Sequence, residues 1–310
     1  MNFDSLVQKN VSLRPLNWWK VGGQAEYFSA PVDLDQLKEV YSWAQQKKLK
    51  IHIFSGGSNI LVKEGLIQGL VLSLHHLKGV VNQQISNDKF EVSAWAGTPK
   101  SDVARLFLQK KLMPAVFLTG IPGDLGGGVV MNAGVGEMIT PREFCEVVTA
   151  VDVLRPDLTI ERLQSEQIHW EYRHTSGWQP GIITQVHMSW PVTAQPEVLQ
   201  LVRLATQKRV QSQPLDLPSG GSTFRNPPRN PPDNKAARLI DECGLKGLRQ
   251  GGASVSLKHA NFIVNDQNAT ADDIFQLIQK VQKTVEEKKG ISLQTEVILF
   301  GGWDLNSLKT

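Results

Sequence analysis

Apolar residues along this chain alternate between short strand-like runs and helical periods, the pattern of a mixed α and β protein. Asp33 can cap a helix whose inner face carries Leu34, Leu37, Val40, Tyr41 and Ala44. Thr98, followed by Pro99, predicts the start of a second helix with Val103, Leu106 and Phe107 buried. Residues 195–213 predict an amphipathic helix with Val198, Leu201, Val202 and Ala205 inward. A short helix over 234–244 places Leu239, Ile240 and Cys243 on its apolar face and stops at Gly244. Thr270 and Asp273 form a capping box for a helix carrying Ile274, Ile278, Val281 and Val285, which ends at Gly290. Strands are predicted over 67–74, 89–97, 146–154, 181–190, within 251–265 and over 291–303, with a short buried strand at 51–54. Residues 17–28 read as strand, turn and strand around Gly22 and Gly23.

Glycine clusters interrupt this pattern where chemistry is expected. The 51–54 strand runs into Ser55-Gly56-Gly57-Ser58-Asn59, where glycines allow backbone amides to converge on an anion and Ser58 adds a hydroxyl; a tight turn is the plainer reading. Residues 119–134 hold Gly120, Gly123, Gly126, Gly127 and Gly128, too dense for ordinary secondary structure, and are expected to form a loop that a flat ring or a pyrophosphate approaches closely. Arg173 lies among aromatics in 168–178. It can hold a carboxylate bidentately, or stack as a surface cation on Tyr172 or Trp170. In 218–228, Gly220-Gly221 delivers the hydroxyl of Ser222, followed by Phe224, Arg225, Asn226 and prolines that make the loop rigid. Glu296 interrupts an apolar run, either as an outward polar residue of a strand or as a carboxylate in a pocket.

Composition narrows the function classes. The 310 residues are 41% hydrophobic and 20% charged, enough for two or three ordinary domains. A net charge of +3 with scattered basic residues gives no nucleic-acid footprint. Cys145 and Cys243 stand far apart without Cys-x-x-Cys spacing, which argues against a disulfide scaffold or a metal site and suits reduced thiols in a cytoplasmic protein. No apolar run approaches the about 18 residues of a membrane span, and the N-terminus lacks the pattern of a signal peptide.

Taken in order, VGGQAEYF, SGGSNILV, GIPGDLGGGVVMNAG, EYRHTSGW, PSGGSTFRNP, AARLIDECGLKGL, GGASVSLKHANFIVN and LQTEV resemble the UDP-N-acetylenolpyruvoylglucosamine reductase (MurB) family from Asn17 to about Gly301. The resemblance implies an α+β fold: a two-subdomain FAD-binding fold of the p-cresol methylhydroxylase type (1–75 and 76–192) plus a C-terminal α+β substrate-binding domain (193–310). It implies FAD along Ser55, Gly56, Gly57, Ser58, Asn59, Gly120, Ile121, Pro122, Gly123, Gly126, Gly127 and Asn132. It also implies NADPH as co-substrate and UDP-N-acetylglucosamine enolpyruvate as substrate, reduced to UDP-N-acetylmuramate for peptidoglycan. Arg173, Ser222 and Glu296 match the catalytic positions; Arg225, Asn226, Lys258 and His259 are candidates for anchoring substrate, although His259 also suits a structural hydrogen bond. A cytoplasmic monomer without nucleic-acid or membrane partners is expected.

The chain departs from the family pattern at Trp18, Trp95, Asp124 and Thr175. Asp124 replaces a Thr or Ser near the flavin, so it either points away or lowers flavin affinity. The only tyrosines are Tyr27, Tyr41 and Tyr172, which suits the shorter branch that lacks a closing tyrosine loop. The competing readings are an oxidase of the same flavin fold and a non-catalytic flavin-binding protein. An oxidase has no need of the Arg173, Ser222 and Glu296 trio.

Overall fold

The computed structural model describes residues 6–136, 140–228 and 234–303. The chain divides into two compact units, each assembled from separated stretches: 1–8, 27–56 and 69–209 form the first, and 9–26, 57–68 and 210–310 the second. The boundary therefore passes inside the SGGSN motif, between Gly56 and Gly57.

The first unit is built on a five-stranded antiparallel sheet, in the order Val80–Ser86, Lys89–Trp95, Ile182–Pro191, Val148–Leu154, Ile160–Gln164. Helices α1 (Leu34–Gln46), α2 (Lys100–Gln109), α3 (Pro114–Thr119) and α4 (Leu125–Val130) belong to this unit. Phe90 packs edge-on against Phe107 of α2, and Phe117 of α3 against Phe144. Asp33 caps α1, accepting from the Gln36 amide at 2.8 Å, and Leu37, Val40, Tyr41 and Ala44 are buried as the periodicity predicts. The expected buried strand at 51–54 is real but buries only Phe54: it pairs on one side, in parallel, with Leu66–Ser73 at the end of its sheet. Thr98 does not cap α2. Its hydroxyl is turned to the main chain of Gly79, and Pro99 takes the cap position.

Helix α5 (Val198–Ser212) buries only Val198, while Leu201, Val202 and Ala205 are half-buried against the first unit's core. The second unit contains α6 (Ala236–Glu242), α7 (Ala271–Lys289) and a small antiparallel sheet of Arg249–Gln250, Ala253–Val255 and Ile263–Asn265. Gly244 (φ +74°) and Gly290 (φ +68°) end α6 and α7 in the left-handed conformation that glycine adopts without strain. Two expected strands shrink. Residues 17–21 are a turn, because the Asn17 amide donates to both Leu13 and Val21 carbonyls and closes the chain on itself. Of 291–303 only Ile298–Phe300 is a strand, paired in parallel with Ile60–Val62.

The capping box of α7 is complete: the Thr270 hydroxyl accepts from the Asp273 amide at 3.1 Å, and the Asp273 carboxylate accepts from the Thr270 amide at 2.9 Å. Thr270→Ala is expected to lower stability by about 1 kcal/mol, read as a lower urea midpoint at unchanged helix content; an unchanged midpoint would show that the box contributes nothing.

Candidate functional site

In the second unit, the Ser222 loop is fixed on both sides. Gly220 lies flat on the Trp19 ring; a Cβ there would sit 2.6 Å from Trp19 Cζ3, so no larger residue fits. Gly221 then turns the chain at φ +78°. Trp19 is itself fully buried and donates its indole N–H to the Ile263 carbonyl at 2.8 Å. Beyond Ser222, the Asn261 side chain grips the main chain of Phe224 twice: its amide donates to the carbonyl at 2.8 Å and its oxygen accepts from the N–H at 2.9 Å. The Thr223 amide donates to the Asn261 carbonyl at 2.8 Å.

The same loop carries Glu296 alongside it. The Glu296 amide donates to the Thr223 carbonyl at 2.8 Å, Phe224 bridges to Thr295, and the Arg225 amide donates to Gln294 at 2.9 Å. Ser222 and Glu296, 74 positions apart by number, are therefore placed by one short antiparallel ladder. Asn59 joins them, donating its side-chain amide to the Glu296 carbonyl at 3.2 Å. Asn226, expected to anchor substrate, accepts from the Ala236 amide at 3.0 Å and so caps α6. Lys258 and His259 line an open cavity of about 400 Å³ with Arg238, Asp241, Glu242 and Lys246. Burial, then the nearby Lys246 charge, hold the His259 imidazole below its ordinary range, so it is neutral near pH 7.

Arg173 belongs to the first unit. It sits at the tip of the hairpin His169–Glu171 and His174–Ser176, in the left-handed region at φ +57°. Its guanidinium stacks on Tyr172 at 4.7 Å and also pairs with the Glu143 carboxylate at 3.3 Å. It donates to the Gly134 carbonyl at 2.9 Å as well. The stacked reading of this arginine holds; its one carboxylate contact is with Glu143, through a single guanidinium nitrogen. Glu143 is in turn held by the Asn132 amide at 3.1 Å, and Asn132 accepts from the Cys145 amide. The Asn132 side chain, expected beside a cofactor, is occupied in supporting this arginine.

The glycine-rich stretch 119–134 is not a loop throughout: Leu125–Val130 is helix α4. It is short and poor in propensity, but its first amides are anchored outside it, Leu125 to the Thr98 carbonyl and Gly126 to the Ala96 carbonyl. Two of its three glycines are explained by packing. A Cβ on Gly126 would meet Ala96 Cβ at 2.9 Å, and one on Gly128 would meet Phe144 Cζ at 2.3 Å. Gly127 is different: a Cβ there would have only the Ser55 hydroxyl near it, at 4.0 Å. That bare patch of main chain beside Ser55 fits a flat group lying against the backbone. Beneath it, Asp124 is buried. Its carboxylate accepts from the Ser55 hydroxyl at 3.0 Å, lies 2.8 Å from His75 Nδ1, and sits directly under Gly56. Lys100 is also buried and donates to the Pro122 carbonyl at 2.7 Å; burial pushes its ammonium down to about 8, a shift that the Asp124 charge partly opposes. Thr175 keeps a serine-like role, its hydroxyl meeting the Val129 carbonyl at 3.2 Å.

Two family models divide this chain: an FAD binding domain matches residues 25–164, and the UDP-N-acetylenolpyruvoylglucosamine reductase C-terminal domain matches 213–300. A UDP-N-acetylenolpyruvoylglucosamine reductase of Synechococcus sp. (strain WH7803) is 37% identical over 96% of this chain and 94% of its own length. UDP-N-acetylenolpyruvoylglucosamine reductase 2 of Bacillus cereus (strain ATCC 10987) is 38% identical over 95% and 93%. The chain belongs to the UDP-N-acetylenolpyruvoylglucosamine reductase family. The crystal structure of the Thermus caldophilus MurB enzyme superposes with a TM-score of 0.74 at 29% identity, covering 94% of this chain and 98% of that one. The α+β fold with an FAD-binding domain follows, and FAD is the cofactor of the family.

The two kinds of glycine in α4 should separate experimentally. Gly128→Ala drives a methyl into Phe144 and is expected to cost about 1–3 kcal/mol, whereas Gly127→Ala should leave the thermal midpoint unchanged or slightly raised while lowering the flavin retained on purification. Equal thermal losses in both variants would refute this division of roles.

Proposed function

We propose that this chain reduces UDP-N-acetylglucosamine enolpyruvate to UDP-N-acetylmuramate with NADPH as electron donor, as a UDP-N-acetylmuramate dehydrogenase supplying peptidoglycan precursor. The observation that carries the reading is the Ser222 turn. It is a hydroxyl on a rigid loop, tied by backbone hydrogen bonds to the strand bearing Glu296, within the matched C-terminal domain. FAD would be held by Ser55, Gly56 and the α4 face at Gly127, with Gly57, Ser58, Asn59 and residues 120–123 as further candidates; when bound it supplies hydride transfer from NADPH to C3 of the enolpyruvyl group.

The protein's own groups manage charge and the proton. Arg173, held in one orientation by Glu143 and the Gly134 carbonyl, polarises the substrate carboxylate as negative charge develops, with Glu296 assisting. Ser222 delivers the proton to C2. A serine hydroxyl is a weak acid in water, so its competence rests on placement, which the Asn261 grip and the Trp19 floor supply. Lys258 and His259, with Arg225, are the candidates for anchoring the nucleotide portion; the neutral imidazole offers a hydrogen bond rather than charge.

The division into FAD-binding 1–75 and 76–192 and substrate-binding 193–310 is part of the same proposal; the matched ranges 25–164 and 213–300 support an FAD-binding part followed by a C-terminal part, and do not divide the first at residue 75. So are the cytoplasmic location, the monomeric state, the absence of a closing tyrosine loop, and a contribution through the cell wall to cell shape and division. Among the described residues no helix is long and apolar enough to cross a membrane.

Ser222→Ala tests the chemistry. Under anaerobic conditions NADPH should bleach the bound flavin of this variant as in wild type, while reoxidation by UDP-N-acetylglucosamine enolpyruvate should fall by at least about 100-fold. Undiminished reoxidation would remove Ser222 from the proton transfer. Wild-type flavin that recovers only on admitting air would favour an oxidase.

A further inference from the structure

We infer that Asp124 and His75 form a positioning pair whose net charge sets how tightly the first unit holds FAD. The inference rests on Ser55 and Gly56 facing the cofactor. An acidic residue at this position is a liability, because FAD carries two phosphate charges. Yet Asp124 is not turned to solvent: it is buried beneath Gly56, with both carboxylate oxygens 3.1 Å from where a Gly56 Cβ would stand. It cannot be remote from anything lying on Ser55 and Gly56.

The hydrogen bonds define what the pair does. Asp124 Oδ2 accepts from the Ser55 hydroxyl at 3.0 Å and lies 2.8 Å from His75 Nδ1. A carboxylate only accepts, so Nδ1 must carry the proton, and the Ser55 hydrogen is committed to Asp124. The Ser55 hydroxyl therefore offers a lone pair outward, and cannot donate to a phosphate while the carboxylate holds its hydrogen. His75 is the accessible partner, with its side chain 43% exposed against 2% for Asp124. Protonation at Nε2 then neutralises the pair without moving it. The neighbouring titratable groups are Lys100, whose charge interacts with Asp124, and His76, whose ring lies edge-on to His75 at 5.6 Å.

With His75 neutral, the Asp124 and Lys100 charges offset one another beneath the cofactor loop; a protonated His75 adds a positive charge to that cluster. FAD affinity should therefore be higher with the doubly protonated imidazole than with the neutral one. The pyrophosphate of FAD does not titrate between pH 5.5 and 7.5, and Lys100, at about 8, stays mostly charged there.

The test is the dissociation constant of FAD, measured by flavin fluorescence on reconstituted full-length protein from pH 5.5 to 7.5. In wild type, FAD should bind about three- to tenfold more tightly at pH 5.5 than at 7.5. Asp124→Asn should bind tightly at both and lose the slope. His75→Gln should bind weakly and lose the slope, and the double variant should regain affinity over His75→Gln alone. His76→Gln should keep the wild-type slope. A pair that only braces the fold would show additive losses and no rescue. A flat wild-type profile overturns the inference without needing any variant to fold. So does a wild-type slope in His75→Gln. Protein that takes up no FAD at any pH would overturn the flavin reading itself, and this pair with it.

Discussion

The double hydrogen bond between the Asn261 side chain and the main chain of Phe224 is the constraint on which the proposed chemistry of the second unit depends. It is buried, and its two halves are 2.8 and 2.9 Å long. A primary amide is the side chain that can donate and accept at once with this geometry. It gives the loop after Ser222 the hydrogen-bonding environment of a strand while leaving the Ser222 hydroxyl outside the ladder. Trp19 under Gly220 and the Thr223–Glu296 bond complete the placement.

The first unit solves a different problem, that of exposing main chain without a long flexible loop. Helix α4 is stabilised from outside itself, through the Ala96 and Thr98 carbonyls and through glycine contacts with Ala96 and Phe144. Gly127 is then left bare on a rigid element. The same rigidity brings Asp124, Lys100 and His75 into one buried or half-buried polar cluster. Buried charge is tolerated only where it is paired, and Asp124 has the Lys100 charge within electrostatic reach and hydrogen bonds from Ser55 and His75.

How far the sequence discloses these features depends on how local their causes are. Helix α7 is legible in full, because its cap, its 3.6-residue period and its terminal glycine all lie within twenty residues of one another. The family follows from an ordered set of motifs, and with it the fold and the cofactor. Helix α4 is not legible, since its support comes from carbonyls nearly thirty positions away. Edge strand Val80–Ser86 is exposed on both faces and shows no alternation. Glu143, Trp19 and Asn261 were equally hidden as supporting residues: each acts through a residue distant in sequence. Asn261 alone left a trace, a polar amide inside the apolar run Ala260 to Val264 that proves to be 4% exposed.

The central claim, that placement rather than acidity makes Ser222 a proton donor, is tested most directly at Asn261. Asn261→Asp keeps the size and the acceptor but loses the donor to the Phe224 carbonyl. The account predicts that anaerobic flavin reduction by NADPH proceeds at the wild-type rate while flavin reoxidation by UDP-N-acetylglucosamine enolpyruvate slows by about tenfold or more. Reoxidation at the wild-type rate in a variant that has lost this bond would contradict it.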